Sequence, residues 1–264
     1  MDWSGKAAIV TGGASGIGAA TVRVLAGSGA RVAVMDINRD GGAAFVDSIR
    51  EEGLAAEFYP LDVSDRDACR AQVDAFAEAA GRIDALVNNA ASFLSKGADA
   101  TTEDWERSLG VNVRGCANMV QAVHPHMKRT GGGIVNVASI SGYIAQPDRW
   151  TYNACKGAIL SMTRCQALDL ARDNIRVNSV SPGWTWTPEV AKAAGGDRAK
   201  WEPVWARFSM LRRLAKPEEI ARAILFLCGD EASFITAADL PVDGGYLGLG
   251  PEGAGEVSTF AGTR

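Results

Sequence analysis

The sequence predicts an α/β protein built on a doubly wound parallel sheet of about seven strands, with helices on both faces. Short apolar runs alternate with longer amphipathic stretches along the 264 residues, which is typical of repeated βα units with right-handed crossovers. The apolar runs, such as Ile134-Val135-Asn136-Val137, are continuous rather than alternating. Strands that are buried on both faces of a parallel sheet have this pattern.

The individual elements follow from these runs. Strands are expected near residues 6–11, 31–35, 55–60, 83–88, 132–138, 175–181 and 238–242. Helices are expected near residues 16–27, 40–52, 65–80, 103–129, 151–172 and 217–228. Residues 184–213 form a long connection, which we interpret as a substrate lid. The Gly-rich residues 248–264 are weakly patterned and are expected to form a tail. We expect residues 1–264 to form a single domain.

Composition argues against several classes of function. Lys and Arg number 27 against 31 Asp and Glu, so there is no basic footprint for nucleic acid. No apolar run approaches the roughly 20 residues needed to cross a bilayer, so no membrane association is expected. Five scattered cysteines favour free thiols, as in a reducing cytoplasm. The first predicted strand begins near residue 6, which leaves no room for a signal peptide, so a cytoplasmic location is expected. His124 and His126 do not face the same way on a helix, so no metal site is expected.

A glycine-rich turn separates the first strand from the first helix. Gly12, Gly16 and Gly18 allow a tight turn and a close approach of backbone to phosphate, and the helix N-terminus attracts the anion. The second strand ends in Asp36, whose carboxylate can accept hydrogen bonds from ribose hydroxyls and would repel a 2′-phosphate. The pattern predicts NAD rather than NADP, although Arg39 could weaken that preference. The alternative is an ordinary strand-to-helix turn.

Tyr152 and Lys156 are four residues apart on a predicted helix. Positions i and i+4 share a face, so a phenol and an ammonium should lie side by side. A nearby positive charge favours the phenolate, and a tyrosine with a lowered pKa would be a general base near neutral pH. The alternative is a surface tyrosine with a lysine one turn away.

Six motifs in order give the chain, over residues 4–247, a resemblance to the short-chain dehydrogenase/reductase family. They are Thr11-Gly12-Gly13-Ala14-Ser15-Gly16-Ile17-Gly18, Asp62-Val63, Asn88-Asn89-Ala90-Ala91, the tetrad Asn112, Ser139, Tyr152 and Lys156, Pro182-Gly183-Trp184-Thr185-Trp186-Thr187, and Val242-Asp243-Gly244-Gly245. The resemblance implies a Rossmann-like fold, and it implies cofactor contacts from Gly12, Ser15, Gly16, Ile17, Gly18, Asp36, Asp62, Val63, Asn89, Ala90, Tyr152, Lys156, Pro182, Gly183, Thr185 and Thr187.

The resemblance also implies a mechanism for the tetrad. Tyr152 would take the hydroxyl proton of an alcohol as hydride leaves for NAD, and Ser139 would hydrogen-bond the substrate oxygen. Lys156 would hold the nicotinamide ribose and lower the pKa of the tyrosine. Asn112 would hold a water that leads protons to solvent. A homotetramer or homodimer is implied as well, with the helices near 103–129 and 151–172 as interfaces.

The substrate is the least determined part of the sequence-based prediction. Trp184 and Trp186 could stack on a ring, and Ser139, Gln146 and Arg149 could add polar contacts. We therefore expect a secondary alcohol on a ring, oxidised to its ketone. The alternative for the tryptophans is packing of the lid onto the body. The alternative functions are an NADPH-dependent ketone reductase and a catalytically silent NAD(H)-sensing protein.

Overall fold

The sheet of the protein is seven-stranded and entirely parallel, with the order β3-β2-β1-β4-β5-β6-β7. The computed structural model describes residues 1–250 and residue 253, so most of the predicted tail, 248–264, lies outside the described residues. The strands are β1 (Ala7–Thr11), β2 (Arg31–Asp36), β3 (Ala56–Pro60), β4 (Ala85–Asn88), β5 (Gly132–Val137), β6 (Ile175–Pro182) and β7 (Asp239–Val242). The predicted fold class is confirmed.

Helices cover both faces of this sheet. They are α1 (Gly16–Gly27), α2 (Arg39–Glu51), α3 (Arg66–Ala80), α4 (Thr102–Leu109), α5 (Gly115–Met127), α6 (Trp150–Leu170), α7 (Pro188–Ala193), α8 (Arg198–Ala206) and α9 (Pro217–Cys228). Helices α1, α2 and α9 pack on one face, and α3, α5 and α6 pack on the other. Within the described part of the chain, no helix combines the length and the apolar character that crossing a membrane would require.

Strand β1 shows why the apolar runs are continuous. Ala8 and Val10 belong to the core under α1 and α9, whereas Ala7 and Ile9 belong to the core under α3 and α5. Successive side chains of a strand point to opposite faces, so a strand with a core on both sides needs apolar residues at every position.

Helix boundaries follow local hydrogen bonds. Asn38 caps α2 by accepting from the Gly41 amide at 3.1 Å, and Asp65 caps α3 by accepting from the Ala68 amide at 3.0 Å. Each supplies a side-chain oxygen to one of the amides that a helix N-terminus leaves without a partner. Helix α3 ends at Gly81, whose φ of 77° is the left-handed conformation that glycine adopts at low cost.

Two predicted elements differ from the structure. The helix predicted near 103–129 is divided into α4 and α5 by a π-helical turn, Gly110–Arg114. Apolar periodicity does not reveal the one extra residue of a π-helical turn, so the sequence predicted one continuous helix. The connection at 184–213 contains the short helices α7 and α8, capped by Thr187 and Asp197, and helices this short carry little periodicity.

The topology fixes where a ligand can enter. The chain moves outward from β1 to β3 and then returns to the other side of β1 with β4. Ligands of doubly wound folds bind outside the carboxyl ends of the strands at this reversal. The turns that follow β1, β4 and β5 therefore meet at one crevice.

The buried strand β5 is expected to carry much of the stability. Ile134 is fully buried, whereas Ile37 is 68% exposed. Ile134→Ala should lower the free energy of unfolding by about 2–5 kcal/mol because it leaves a cavity in the core under α3, α5 and α6. The matched Ile37→Ala should change it by less than about 0.5 kcal/mol. Urea unfolding at fixed protein concentration measures both, and equal effects would contradict the assignment.

Candidate active site

The four tetrad residues come from three elements at the carboxyl edge of the sheet. Ser139 follows β5, Tyr152 and Lys156 lie on α6, and Asn112 lies in the π-helical turn. Exposure is 9% for Ser139, 7% for Tyr152, and 4% for both Lys156 and Asn112. Four polar side chains buried at one edge of a sheet are costly unless they are hydrogen-bonded or used.

Ser139 opens a 3₁₀ turn, Ile140–Gly142, directly after β5. Its hydroxyl oxygen accepts from the Ser141 amide at 3.1 Å. The Ser141 hydroxyl in turn donates to Oε1 of Gln146 at 2.7 Å. The backbone bond fixes the Ser139 rotamer through its oxygen, so its hydroxyl proton remains available for a ligand oxygen.

The pKa of Tyr152 differs from the sequence-based expectation. Burial raises the pKa of the phenol to about 12, while the Ser139 hydroxyl and the charge of Arg149 act in the opposite direction. The Lys156 ammonium lies over the ring of Tyr152, 5.5 Å from its centroid. Removal of the phenol from water therefore has a larger effect on its pKa than the neighbouring charges do.

Lys156 is a buried cation with a single protein partner among the described residues. Its Nζ donates to the Val137 carbonyl at 2.8 Å, which leaves two of the three ammonium hydrogens for a ligand. Burial lowers its pKa to about 8, because a charge inside the protein loses its hydration. The amine is thus close to its titration range at neutral pH.

The Asn112 side chain is tied to the loop after β4. Its Oδ1 accepts from the Ser92 amide at 2.8 Å, and its Nδ2 donates to the Ser92 carbonyl at 3.0 Å. The π-helical turn directs the amide towards this loop, and turns of this kind occur often at functional sites. The amide holds Ser92 in place, and its role towards a water stays a prediction.

The glycine-rich turn has the conformation that the sequence predicts. Gly12 and Gly16 have φ values of 59° and 53°, and a β-carbon at Gly18 would collide with the Gly12 carbonyl. Asn89, which the family resemblance assigns to cofactor binding, holds the turn directly. Its Nδ2 donates to the carbonyls of Thr11 and Gly12 at 3.0 and 2.9 Å, and the Asn89 and Ala90 amides both donate to the Thr11 hydroxyl.

Helix α1 begins next to this turn without a side-chain cap. Ser15 has an extended backbone at the N-cap position and makes no capping bond. Within residues 1–250, the amides of Gly16, Ile17 and Gly18 have no hydrogen-bond acceptor. Amides at a helix N-terminus favour an anion, and these three suit the diphosphate of a dinucleotide.

The adenosine end of the crevice contains Asp36 and the turn after β3. Asp36 accepts from the Ala14 amide at 3.1 Å and from the Asn38 amide at 3.0 Å, and each carboxylate oxygen keeps a lone pair for a ribose hydroxyl. Asp62 is exposed and accepts from the Ser64 amide, whereas Val63 is buried.

The lid begins against the glycine-rich turn. Pro182 ends β6, and the Gly183 amide donates to the Val242 carbonyl at 3.1 Å. Thr185 is buried and pairs with Ala215 in an isolated bridge. The Thr187 methyl group is 3.4 Å from the position that a β-carbon on Gly16 would take. The start of the lid therefore lies beside the predicted phosphate site.

The lid tryptophans stack mainly on one another. Trp184 stacks on Trp205 at 4.8 Å, and Trp205 stacks on Trp201 at 5.3 Å between ring centroids. Trp186 lies under the Arg198 guanidinium at 4.9 Å. The cavity beside Trp184 is lined by none of the tetrad residues. These contacts favour the alternative in which Trp184 packs the lid onto the body.

Sequence reasoning missed two neighbours of the tetrad. Phe93 stacks on Tyr152 at 5.9 Å with 23° between the ring planes, although Phe93 itself is 55% exposed. Val137 supplies the carbonyl that binds Lys156. Phe93 follows β4 at the carboxyl edge of the sheet, so its position along the chain was an available signal. A backbone carbonyl gives no signal in the sequence.

The arrangement suits proton transfer to or from an oxygen atom. A hydroxyl donor, a phenol and a buried cation converge beside an apolar ring, and the crevice leads to a turn suited to phosphates. A carbonyl oxygen that accepts from Ser139 and Tyr152 would be polarised and protonated, and an alcohol would lose its proton by the reverse path.

Three comparisons relate this chain to known proteins. Residues 12–247 match a family model described as Enoyl-(Acyl carrier protein) reductase. The chain is 41% identical over 246 residues to cyclopentanol dehydrogenase of Comamonas testosteroni, covering 91% of this chain and 96% of the relative. It is 39% identical over 247 residues to cis-4-hydroxycyclohexanecarboxylate dehydrogenase of Sinomonas cyclohexanicum, covering 92% and 97%.

A solved structure agrees with these relatives. The crystal structure of a putative short-chain alcohol dehydrogenase from Sinorhizobium meliloti superposes with a TM-score of 0.87 at 35% identity, covering 94% of this chain and 98% of that chain. The fold, the family model and the relatives agree, and the chain belongs to the short-chain dehydrogenase/reductase family.

Proposed function

We propose that this protein is an NAD-dependent oxidoreductase that interconverts a secondary, ring-borne alcohol and its ketone. The observation that carries the proposal is the joint burial of Ser139, Tyr152 and Lys156 at the carboxyl end of β5. When bound, the nicotinamide supplies hydride chemistry by accepting or giving a hydride at its ring. The protein's own residues must then bind the substrate oxygen and move its proton.

Each tetrad residue has one task in this proposal. Ser139 donates a hydrogen bond to the substrate oxygen and fixes its angle to Tyr152. Tyr152 exchanges the proton with that oxygen. Lys156 offers its two remaining ammonium hydrogens to the nicotinamide ribose while Val137 holds the third. Asn112 holds the Ser92 loop through two hydrogen bonds, and the proposal includes a water on its amide.

The Tyr152 pKa bears on the direction of the reaction. A phenol with a pKa of about 12 is protonated at neutral pH, which is the form that a ketone oxygen needs as proton donor. Alcohol oxidation needs the phenolate, and the Ser139 hydroxyl and the charge of Arg149 favour it. The rate of alcohol oxidation should therefore increase as the pH rises, whereas neutral pH favours ketone reduction.

Asp36 supports NAD as the cofactor. Its carboxylate ends β2 beside the glycine-rich turn, and a 2′-phosphate at the adenosine ribose would meet this negative charge. Arg39 is exposed and lies three residues further on, so a preference for NADPH and ketone reduction is the alternative. Gly12, Gly16 and Gly18 would accommodate the diphosphate of either dinucleotide.

The relatives support a ring as the carrier of the alcohol. Both named relatives act on hydroxyl groups of five- or six-membered carbocycles, to judge by their names. The exposed Phe93 ring beside Tyr152 gives an apolar surface that suits such a ring. The name of the family model points to linear acyl substrates instead. A silent NAD(H)-sensing protein is disfavoured because all four tetrad residues are present.

We also propose that the chain is a single cytoplasmic domain and that it assembles as a homotetramer or homodimer. Exposed apolar side chains on the helices predicted as interfaces support the assembly. Leu109 at the end of α4 is 41% exposed, and Trp150 and Leu168 on α6 are 58% and 81% exposed. Burial of such side chains against a second copy would remove apolar surface from water.

Removal of the Tyr152 hydroxyl tests the proposed acid and base. Tyr152→Phe should lower kcat for a cyclic alcohol by about 10²–10⁴-fold with little change in NAD affinity, because only the proton transfer is lost. Tyr143→Phe is the matched control, since the Tyr143 hydroxyl bonds Asp239 and that ring is 51% exposed. Normal turnover in Tyr152→Phe would remove Tyr152 from the mechanism.

Cofactor choice tests the role of Asp36. The wild type should prefer NAD to NADP, and Asp36→Asn should shift the ratio of the two kcat/KM values towards NADP by roughly 10- to 100-fold, because one repulsive charge is removed without loss of shape. Asp40→Asn removes an exposed charge nearby and should leave the ratio unchanged. A wild type that prefers NADP would favour the reductase alternative.

The buried charge of Lys156 should lower the free energy of unfolding at neutral pH, although the residue takes part in the proposed reaction. Its pKa of about 8 in the folded protein lies below the ordinary value of 10.5, so burial of the charged form opposes folding at pH 7 and ceases to do so as pH rises through 8 to 10.5. Lys156→Met should stabilise the protein by roughly 2–3 kcal/mol at pH 7 and by less at pH 10.

Urea unfolding of the cofactor-free protein at both pH values measures this difference. Lys192→Met is the control, because Lys192 is exposed and should show neither the stabilisation nor its pH dependence. A Lys156→Met variant that is less stable than the wild type at pH 7 would contradict the argument.

A further inference from the structure

We propose that Arg149 binds a carboxylate that the substrate carries in addition to its reacting hydroxyl or carbonyl group. The inference rests on the proposed function, because it specifies the substrate class of the same site. It assigns Arg149 to substrate specificity, apart from the proton transfer by Tyr152.

Arg149 is placed directly beside the tetrad. It occupies the N-cap position of α6, three residues before Tyr152, and residues three apart on a helix are neighbours. The Asn153 amide donates to the Arg149 carbonyl at 2.8 Å, which fixes the start of the helix. The charge of Arg149 also reaches the Tyr152 phenol, whose pKa it acts to lower. Arg149 and Tyr152 therefore lie at the same end of α6.

The guanidinium lacks the carboxylate partner that some other arginines of the chain have. Arg82 and Arg213 each contact a carboxylate at 2.6 Å, whereas the Arg149 side chain makes no hydrogen bond or ion pair to residues 1–250. It is nevertheless only partly exposed. The five donors of the guanidinium are therefore not used by the described part of the chain.

Nearby acidic groups are directed elsewhere. Asp148 has a φ of 55°, a left-handed conformation that is uncommon outside glycine. Its Oδ1 lies against Gly97, 2.9 Å from where a β-carbon on that residue would be. Asp99 contacts Lys96 at 3.4 Å. Neither carboxylate neutralises Arg149, so the positive charge at this rim of the site is available to an anion from solution.

Arg149 does not stabilise the helix that it precedes. It makes no capping bond, and the first turn of α6 contains no acidic residue. A positive side chain at a helix N-terminus faces the positive end of the helix dipole and is unfavourable there. A role in binding gives a physical reason for the residue that helix formation does not.

A carboxylate is the group that this site fits best. The planar guanidinium can bind both carboxylate oxygens through two parallel hydrogen bonds. Phe93 lies on the Tyr152 ring and offers an apolar surface for the ring of a substrate. A compact ring acid with a secondary hydroxyl group meets all three requirements.

The test compares two substrates in three proteins. The kcat/KM values for cyclohexanol and for a hydroxycyclohexanecarboxylate are measured with NAD in the wild type, Arg149→Gln and Arg222→Gln. Arg222 is exposed on α9, so its loss changes the net charge equally. Arg149→Gln should lower kcat/KM for the carboxylate substrate by about 10- to 100-fold and for cyclohexanol by less than about 3-fold. Arg222→Gln should change neither.

A second measurement does not depend on turnover. Calorimetric titration of the NAD-loaded proteins with cyclohexanecarboxylate should give a dissociation constant that rises by about 10-fold or more in Arg149→Gln alone. Equal carboxylate binding by the wild type and Arg149→Gln, or an equal loss of activity on both substrates, would overturn the proposal. Arg149-dependent carboxylate binding without oxidation of either alcohol would support it and refute the proposed function.

Discussion

The proposed active site depends on a lysine that is buried beside a backbone carbonyl. The Val137 carbonyl accepts one hydrogen of the Lys156 ammonium and so replaces part of the hydration that burial removes. This contact joins α6 to the end of β5. The loop that carries Ser139 must then cross close to α6, and Gly142 permits this, because a β-carbon there would lie 2.8 Å from the Leu160 side chain and 3.0 Å from the Lys156 carbonyl.

A second set of hydrogen bonds shapes the cofactor half of the crevice. Thr11 and Asn89 join the ends of β1 and β4 through both side chains and backbone. Asn89 thereby occupies carbonyl groups of the glycine-rich turn and leaves the amides of α1 facing outward. The two halves meet where the chain reverses direction across the sheet, so a dinucleotide that lies along the crevice would extend from Asp36 to Lys156.

The sequence predicted the sheet well because β1, β4 and β5 must be apolar at every position to fill two cores. The glycine-rich turn was equally readable, since Gly12, Gly16 and Gly18 each meet a steric requirement. The tetrad was predicted from family motifs and from the helical spacing of Tyr152 and Lys156, and the structure places the four residues at one edge of the sheet. The pKa of Tyr152 was not predictable, because it depends on how much water the fold removes from the phenol.

The lid shows a different limit of sequence reasoning. Trp184 and Trp186 are two residues apart and look alike in the sequence, yet Trp184 stacks on Trp205 and Trp186 contacts Arg198. Those partners lie 21 and 12 residues further along the chain, in short helices that periodicity does not reveal. Without the partners, an aromatic side chain that packs the lid is indistinguishable from one that faces a substrate.

The π-helical turn at Asn112 has a consequence for the phase of the helices around it. Such a turn accommodates one residue more than a regular α-helical turn. Compared with an unbroken helix, the side chains of α4 are therefore rotated about the helix axis by about 100° with respect to those of α5. Deletion of one residue within Gly110–Arg114 would restore the regular phase only by turning α4 on its axis. The hydrogen bond from the Ser108 hydroxyl to the Leu94 carbonyl and the contact of Asn112 with Ser92 could not then both be kept, so this segment tolerates substitution more readily than a change in length.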